Sequence, residues 1–182
     1  DDFDEEILAS LSSRANKGAL YTKFIRRFLN YIPVDYRIAV KTKVFGDFAE
    51  EAYEFFKNLP MSQKKIEITK TRFNNEDALN ILILEKNIPF VVDSLNTLIT
   101  KLNLETVFLF HPVISCVRDK DGNLQDILGK YERKDSESLV YIKVLGTFDD
   151  MAIQEIKNKI VEKFNIRGMI NEKAEDYSKC FN

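Results

Sequence analysis

The sequence is poor in the residues that build metal centres and nucleophilic active sites. Its 182 residues include two cysteines, Cys116 and Cys180, and a single histidine, His111. A zinc site made of cysteine and histidine would need more ligands than these. A catalytic triad built on His111 would need a neighbouring nucleophile, and no sequence signal identifies one. We therefore expect no metal centre and no catalytic residues in this chain.

Other scarcities exclude further classes of protein. The six glycines never form the GxGxxG or GxxxxGK[ST] loops that cradle phosphates, so we expect no nucleotide cofactor here. No apolar run is long enough to span a bilayer, and no basic-then-apolar leader is present. Lysine and arginine (27) are balanced by aspartate and glutamate (29), so no net positive field attracts nucleic acid or an anionic membrane.

The cysteines and the first residue indicate the setting of the chain. One cysteine falls in a predicted strand and the other in a tail, which makes a poor disulfide framework, so we expect a reducing, cytoplasmic environment. The sequence starts at Asp1 rather than at a methionine, so we expect a piece of a longer protein.

Residues 1–63 are predicted to form a helical lead-in. Apolar residues recur every four positions from Leu20 through Phe24 and Phe28 to Ile32, as on one face of an amphipathic helix. A second apolar stripe runs over residues 45–56 and stops at Pro60. Lys23, Arg26 and Arg27 would form a small basic spot on the solvated side of the first helix.

Residues 64–166 are predicted to form an α+β domain with the element order β, β, α, β, β, α. The predicted elements are strands 66–72 and 79–85, helix 89–103, strands 106–117 and 139–145, and a helix capped by Asp149-Asp150 that ends near Phe164. A turn at 119–122 leads to a short returning segment at 124–128. A last helix over 167–180 is predicted to lead to further domains.

This order predicts a ferredoxin-like antiparallel sheet with helices packed on one face. Strand 79–85, helix 89–103 and strand 106–117 form a crossover, which must be right-handed. The fourth strand that normally follows the second helix is missing. We therefore expect strand 66–72, hairpinned to 79–85, to fill the vacant edge position.

The loop between strand 79–85 and the next helix is a candidate binding site. The free amides and positive dipole end of a helix start favour a carboxylate there. The candidate ligand-binding residues are Asn87, Ile88, Pro89, Phe90, Asp93 and Ser94. The alternative interpretation is a tight loop with a rigid proline, in which Asp93 stabilises the helix terminus by roughly 0.3–1 kcal/mol.

His111 and Pro112 are candidates for a subunit interface. Pro112 cannot donate a ladder hydrogen bond, so this stretch is expected at an edge, an end or a bulge of the sheet. An edge offers a second chain somewhere to pair, which would place His111 at the seam. The alternative is a partly buried histidine whose hydrogen bonds are satisfied within the chain. Cys116 is expected to be a small core hydrophobe.

Aromatic residues are abundant, with 14 phenylalanines and 7 tyrosines. Six phenylalanines crowd the helical lead-in, namely Phe24, Phe28, Phe45, Phe48, Phe55 and Phe56. Most are expected to form a core between helix and sheet. Alternatively, some form an exposed patch that contacts downstream parts of a longer chain.

Three motifs in series resemble a known family. The junction EKNIPFVVDSL (residues 85–95) resembles the first strand–helix junction of ACT domains. IPFVVDSL, then FHPVISCVRDKDGNL (110–124), then ESLVYIKV (137–144) are similar to the amino-terminal region of the large bacterial NAD-specific glutamate dehydrogenases, with their "PF…VDS", "HPV…RD-x-G" and "ES" patterns. The resemblance covers roughly residues 20–180. The long polar stretch around 130–135 departs from it.

The resemblance implies a non-catalytic domain of a larger enzyme. The parent would oxidatively deaminate L-glutamate to 2-oxoglutarate and ammonia with NAD, on machinery far downstream. The resemblance also implies an amino-acid-like effector, a contact with the downstream catalytic domain and a homo-oligomeric parent. The rival interpretation is a stand-alone self-association or protein-interaction module. RNA binding on the sheet is disfavoured, because no aromatic RNA-binding motif is present.

Overall fold

The structure is a computed structural model, which describes residues 5, 8, 9, 11, 17–33, 35–36, 42–86, 91–129 and 136–164. These described residues form four helices and six strands. In chain order the elements are α1 (Ala19–Leu29), α2 (Thr42–Phe56), β1 (Lys64–Phe73), β2 (Glu76–Lys86), α3 (Val91–Lys101), β3 (Glu105–Phe110), β4 (Val113–Arg118), β5 (Leu124–Ile127), β6 (Ser136–Leu145) and α4 (Asp150–Phe164). The α+β class is confirmed. The predicted helix 167–180 lies outside the described residues.

The six strands form one antiparallel sheet. Its order is β1-β2-β6-β4-β5, and β3 also pairs with β6. Because β2 and β3 both run antiparallel to β6, they are parallel to each other, and α3 connects them across β6. The predicted edge position of the first strand is confirmed, since β1 pairs only with β2 in this sheet. Asn74 and Asn75 both have positive φ angles, as a two-residue hairpin turn requires.

The predicted single strand 106–117 is wrong in one respect, because it is interrupted. β3 ends at Phe110 and β4 begins at Val113, with His111 and Pro112 between them. Both strands pair with β6, and the register is the same on either side of the break. Pro112 has no N–H to donate, although its carbonyl still accepts a hydrogen bond of 3.0 Å from the Leu139 amide. Pro112 therefore interrupts the hydrogen-bond ladder without changing the register of the strands on either side.

One face of the sheet packs against α1 and α2 through aromatic side chains. The six lead-in phenylalanines are each at most 3% exposed, so they form the predicted core, and the exposed-patch alternative is wrong for them. Phe48 of α2 meets Phe108 of β3 at 4.5 Å between ring centroids, and Tyr21 of α1 meets Tyr53 of α2 at 5.0 Å. These rings join the two lead-in helices to the strands in a single cluster.

The other face packs against α3 and α4 through aliphatic side chains. This cluster contains Leu79, Ile81, Ile83, Leu95, Leu98, Val140, Ile142, Val144, Ile156 and Ile160. The crossover helix α3 and the following helix α4 thus share one face, as predicted, while the lead-in helices cover the opposite face. Because β2 and β6 are covered on both faces, their side chains are buried almost without interruption. α4 begins at the predicted cap, where Asp149 Oδ1 accepts a hydrogen bond of 2.8 Å from the Ala152 amide.

A polar network holds α2 on the aromatic face. Glu51 Oε2 accepts hydrogen bonds from Asn80 Nδ2 at 2.8 Å and from the Tyr141 hydroxyl at 3.0 Å. Its Oε1 accepts one from Thr69 Oγ1 at 3.3 Å. A single carboxylate therefore binds β1, β2 and β6 to the helix. Lys143, also on this face, lies over three phenylalanine rings, and its burial lowers its pKa.

Candidate functional site

The three sequence motifs converge at one end of the sheet. β2 ends there at Lys86, α3 begins nearby at Val91, and β4 and β6 start there at Val113 and Ser136. The strand register places Glu85 beside Ser138 and Ser138 beside Val113. Segments that are distant in the sequence are thus neighbours in space. We call this region the junction end.

The candidate ligand-binding residues divide into two groups. Asn87, Ile88, Pro89 and Phe90 lie outside the described residues. Asp93 and Ser94 lie in the first turn of α3, where Asp93 is exposed and Ser94 is half-buried. The Asp93 carbonyl accepts a hydrogen bond of 3.0 Å from Thr97 Oγ1 within the helix. A carboxylate in the first turn stabilises a helix start, so Asp93 has a structural role whether or not a ligand binds.

Buried polar residues mark this end of the α3 face. Glu85 is 3% exposed and Ser138 5% exposed, on a face that is otherwise aliphatic. Glu85 pairs with Lys64, at 3.0 Å between Lys64 Nζ and a Glu85 carboxylate oxygen. Burial raises the pKa of Glu85, and the ammonium group of Lys64 opposes that rise only in part. The carboxylate therefore carries an electrostatic cost that is not fully compensated.

The two candidate interface residues occupy the break between β3 and β4. Pro112 is buried and His111 is half-buried. The Nε2 atom of His111 is buried and has no hydrogen-bond partner among the described residues. Burial lowers the pKa of His111, so the neutral ring is favoured. The structure thus confirms that Pro112 lies at a strand end, whereas a role of His111 at a subunit seam stays a prediction.

A buried ion pair that no sequence pattern predicts lies at the junction end. Arg118 of β4 binds Glu137 of β6 through two hydrogen bonds, Nε to Oε2 at 2.8 Å and Nη2 to Oε1 at 2.9 Å. The two side chains are only 10% and 4% exposed. Arg118 also donates to the carbonyls of Phe56 and Gly122, at 2.6 Å and 2.8 Å. One guanidinium thus joins the end of α2, the β4–β5 turn and β6.

Two more motif residues, Asp119 and Gly122, shape the turn between β4 and β5. Asp119 Oδ1 accepts hydrogen bonds of 2.9 Å from the amides of both Asp121 and Asn123, which closes the turn. Gly122 has a φ of 83°. A Cβ atom there would come within 1.8 Å of the Leu59 carbonyl oxygen. The segments FHPVISCVRDKDGNL (110–124) and ESLVYIKV (137–144) therefore contain the two partners of the buried ion pair and the turn that the pair supports.

An open cavity of about 470 Å³ adjoins this ion pair on the α2 side of the sheet. Its lining includes Leu59, Met61, Lys86, Cys116, Arg118, Lys120 and Glu137. Cys116 donates a hydrogen bond of 3.2 Å to Glu137, and burial raises the pKa of its thiol to about 12. The thiol is therefore protonated at neutral pH and is not an activated nucleophile. Among the described residues, no three metal-binding side chains lie close enough together to hold a metal ion.

Comparison with known protein families identifies the family of this chain. The family model "Glutamate dehydrogenase, ACT1 domain" matches residues 24–160, which is well over half of the chain. The chain belongs to the ACT1 domain family of glutamate dehydrogenase. Comparison with curated proteins found no match, and neither did comparison with solved structures.

The ACT1 match begins within α1 and ends within α4. It therefore includes part of α1 and all of α2, and it crosses the boundary at 63/64 that the sequence predicts between lead-in and sheet. The aromatic cluster spans the same boundary, since α1 and α2 share it with the strands. No helix among the described residues of the ACT1 chain is both long and apolar enough to cross a membrane.

Proposed function

We propose that the chain is the amino-terminal regulatory and assembly domain of an NAD-specific glutamate dehydrogenase. Membership of the ACT1 family supports the assignment to a glutamate dehydrogenase. The observation that carries a regulatory role is the convergence of all three motifs at the junction end, where ligand contacts and domain contacts can influence each other. The NAD cofactor, the catalytic residues and the downstream domain belong to the parent enzyme. A cytoplasmic setting is part of the proposal, and the free, buried thiol of Cys116 is compatible with it.

The regulatory ligand we propose is a small amino-acid-like effector at the junction end. Its carboxylate would bind near the start of α3, since the amides and dipole of a helix start attract anions. Its ammonium group would be attracted by Glu85, a buried carboxylate whose pKa is raised and which is only partly compensated by Lys64. An effector with both groups therefore matches the charges at this end of the sheet.

A titration followed by amide chemical shifts tests the effector. We expect saturable shifts at Ser94 and Leu95 on addition of an amino acid or a 2-oxo acid from a broad panel. Substitution Ser94→Ala is expected to weaken binding roughly tenfold, the equivalent of about 1.4 kcal/mol for a lost hydrogen bond. Asn96→Ala, at an exposed position two residues further along the same helix, is the matched control and should leave affinity unchanged.

The position of the shifts distinguishes the outcomes. Shifts at Val117 and Gly122 without any at Ser94 would place the ligand in the open cavity on the other face instead. Silence at both places across the whole panel would contradict the effector and leave a structural domain. Neither result would affect family membership, which rests on the sequence match.

The non-catalytic role and the NAD dependence need separate assays. The 182-residue chain is expected to turn over no glutamate in the presence of NAD, because its sequence contains no glycine-rich loop of the kind that holds a dinucleotide. Measurable turnover by the chain would contradict the non-catalytic role. The intact parent enzyme is expected to reduce NAD in preference to NADP, and the reverse preference would contradict NAD specificity.

Self-association is the second candidate role, and one observation favours it. β1 is a ten-residue edge strand that pairs with β2 alone, so its outer hydrogen-bonding groups face away from the sheet. Such an edge can pair with a second copy of the chain. Light scattering of the 182-residue chain tests this role. Growth of the mean mass with concentration would support it, and a strict monomer at high concentration would contradict it.

A further inference from the structure

A second cavity, of about 240 Å³, lies between α1 and the end of β5. Three of its lining residues are basic: Lys23, Arg26 and Arg27. They are spaced three and four residues apart on a helix, so they lie on one face of α1. The opposite wall is formed by residues 126–129, and Asp126 contributes the carboxylate among the described lining residues. The cavity therefore carries an excess of positive charge.

Arg27 is the residue that distinguishes this cavity from an ordinary solvated face. Lys23 pairs with Asp126 at 2.8 Å between Nζ and Oδ1, and Arg26 pairs with Glu5 at 2.7 Å between Nη1 and Oε1. Arg27 is half-buried, and no ion pair or side-chain hydrogen bond connects it to any other described residue. A guanidinium has five N–H donors in a planar fork. A guanidinium that lines a cavity and binds no other described side chain favours an anion that can accept hydrogen bonds from its fork.

We propose that this cavity is a binding site for a small oxyanion, with Arg27 as its principal ligand. Phosphoryl and carboxylate ligands both present a planar or tetrahedral group of oxygens, which can accept two parallel hydrogen bonds from a guanidinium. Because Lys23 and Arg26 are each paired with a carboxylate, Arg27 supplies the net positive charge that attracts an anion to the cavity. The cavity is smaller than those that enclose drug-sized ligands, so it suits a free ion or one acidic group of a small metabolite.

The site is distinct from the effector site proposed above. It lies on α1, a helix of the aromatic face, whereas the first turn of α3 is on the aliphatic face. A negative result for one proposed site therefore would not contradict the other. A ligand here would connect α1 to the end of β5, which the Lys23–Asp126 pair already joins.

Titration of the 182-residue chain with two probes tests the site. Inorganic phosphate represents a phosphoryl group, and glutarate represents a small dicarboxylate. Sodium chloride at matched ionic strength is the control for screening. We expect saturable shifts of the Arg27 side-chain Nε resonance and of the Asp126 and Ile127 amides with at least one probe. Binding of phosphate alone would identify a phosphoryl ligand, and binding of glutarate alone a carboxylate ligand.

Three substitutions make the test specific. Arg27→Gln is expected to weaken binding at least tenfold, while Lys101→Gln, which removes one exposed positive charge on α3, should leave it unchanged. Asp126→Asn removes the carboxylate that competes with the ligand for Lys23, so it is expected to tighten binding several-fold. A gain of affinity cannot arise from partial unfolding, so the third variant stays informative if Arg27→Gln folds poorly.

Several results would overturn the proposal. Equal chemical-shift changes with sodium chloride would mean that the probes act only by screening charges, without binding in the cavity. Unchanged affinity in a folded Arg27→Gln variant would exclude Arg27 as the ligand. Weaker binding in Asp126→Asn would contradict the charge argument, and no binding of either probe would contradict the site itself.

Discussion

Gly122 is a residue at which backbone geometry and packing both exclude a side chain. Its φ is positive, and a Cβ atom would come within 1.8 Å of the Leu59 carbonyl oxygen. The Leu59 amide also donates a hydrogen bond to the Gly122 carbonyl, so the two backbone segments are held close together. We predict that Gly122→Ala lowers the free energy of unfolding by roughly 2–4 kcal/mol. Urea denaturation measures the change.

Gly18 is the matched control for that prediction. It also has a positive φ, but no atom lies within 4 Å of the position where its Cβ would be. Gly18→Ala should therefore cost only the strain of its backbone conformation (φ 86°, ψ −175°), roughly 1–3 kcal/mol. Equal losses in the two variants would mean that the close approach of Leu59 contributes nothing.

His111 gives the chain a dependence on pH whose sign can be worked out. Burial lowers its pKa below the usual 6.5, so the unfolded chain takes up the proton first as the pH falls. The contribution of the neutral ring to stability is present above pH 6.5 and is lost as the pH falls through the lower folded value. We predict that His111→Gln flattens this loss, measured as unfolding free energies from about pH 7.5 to pH 5. Parallel curves for the two proteins would contradict the prediction.

At the scale of single residues, local chemistry was predictable and distant pairing was not. Asp149 is identified as a helix cap by its type and position, and its side chain does accept the Ala152 amide. The partnership of Arg118 with Glu137 joins residues 19 positions apart. Neither residue type nor spacing predicts it, because the pair is brought together by the β4–β6 register.

The end of α3 allows a prediction at the scale of one element. The Leu104 amide binds the Ile99 carbonyl and the Asn103 amide binds the Thr100 carbonyl, around Asn103 with a φ of 54°. This left-handed cap favours glycine. We predict that Asn103→Gly raises the free energy of unfolding by roughly 0.5–1 kcal/mol.

A glycine elsewhere on the same helix should have the opposite effect. Asn96 is exposed within α3, where glycine is a poorer helix former than asparagine. We expect Asn96→Gly to lower the free energy of unfolding by a few tenths of a kcal/mol. Changes of the same sign in both variants, measured by urea denaturation, would refute the cap assignment.

The positions of the strands could be predicted from the sequence where local hydrophobic patterns and turn residues agree. The apolar run of β2 and the alternation in β1 predict two strands and their hairpin, because Asn74 and Asn75 supply the turn. The break between β3 and β4 was harder to place. Pro112 predicts an edge, an end or a bulge, but apolar residues continue on both sides of it, so the pattern does not reveal which of the three occurs.

For the molecule as a whole, the sheet couples two separate cores. β2 and β6 send alternate side chains into the aromatic cluster and into the aliphatic cluster. Loss of either helical layer would expose one whole face of both strands to water. We therefore predict a single cooperative unfolding transition.

Hydrogen exchange at increasing urea concentration measures this coupling. The amides of Ala49 and Ala52 report on α2, and those of Leu95 and Ile156 report on α3 and α4. We expect these amides to converge on one opening free energy. Earlier opening of α2 as a separate unit would contradict the coupling.

The placement of the lead-in helices was the largest feature that the sequence did not predict. Their apolar stripes predict amphipathic helices and a helix-on-sheet core. A stripe does not specify which of two sheet faces it will cover, since both faces of β2 carry apolar residues. That choice depends on the Glu51 hydrogen bonds and on aromatic contacts that form only in the folded chain.

The central position of β6 has a consequence for how the chain folds during synthesis. It is the last of the described strands in chain order, yet it pairs with β2, β3 and β4. Until residue 145 has left the ribosome, the inner edges of those earlier strands have no partner. A nascent chain that stalls before this point would present open, apolar strand edges, so we expect such truncated chains to aggregate or to recruit chaperones.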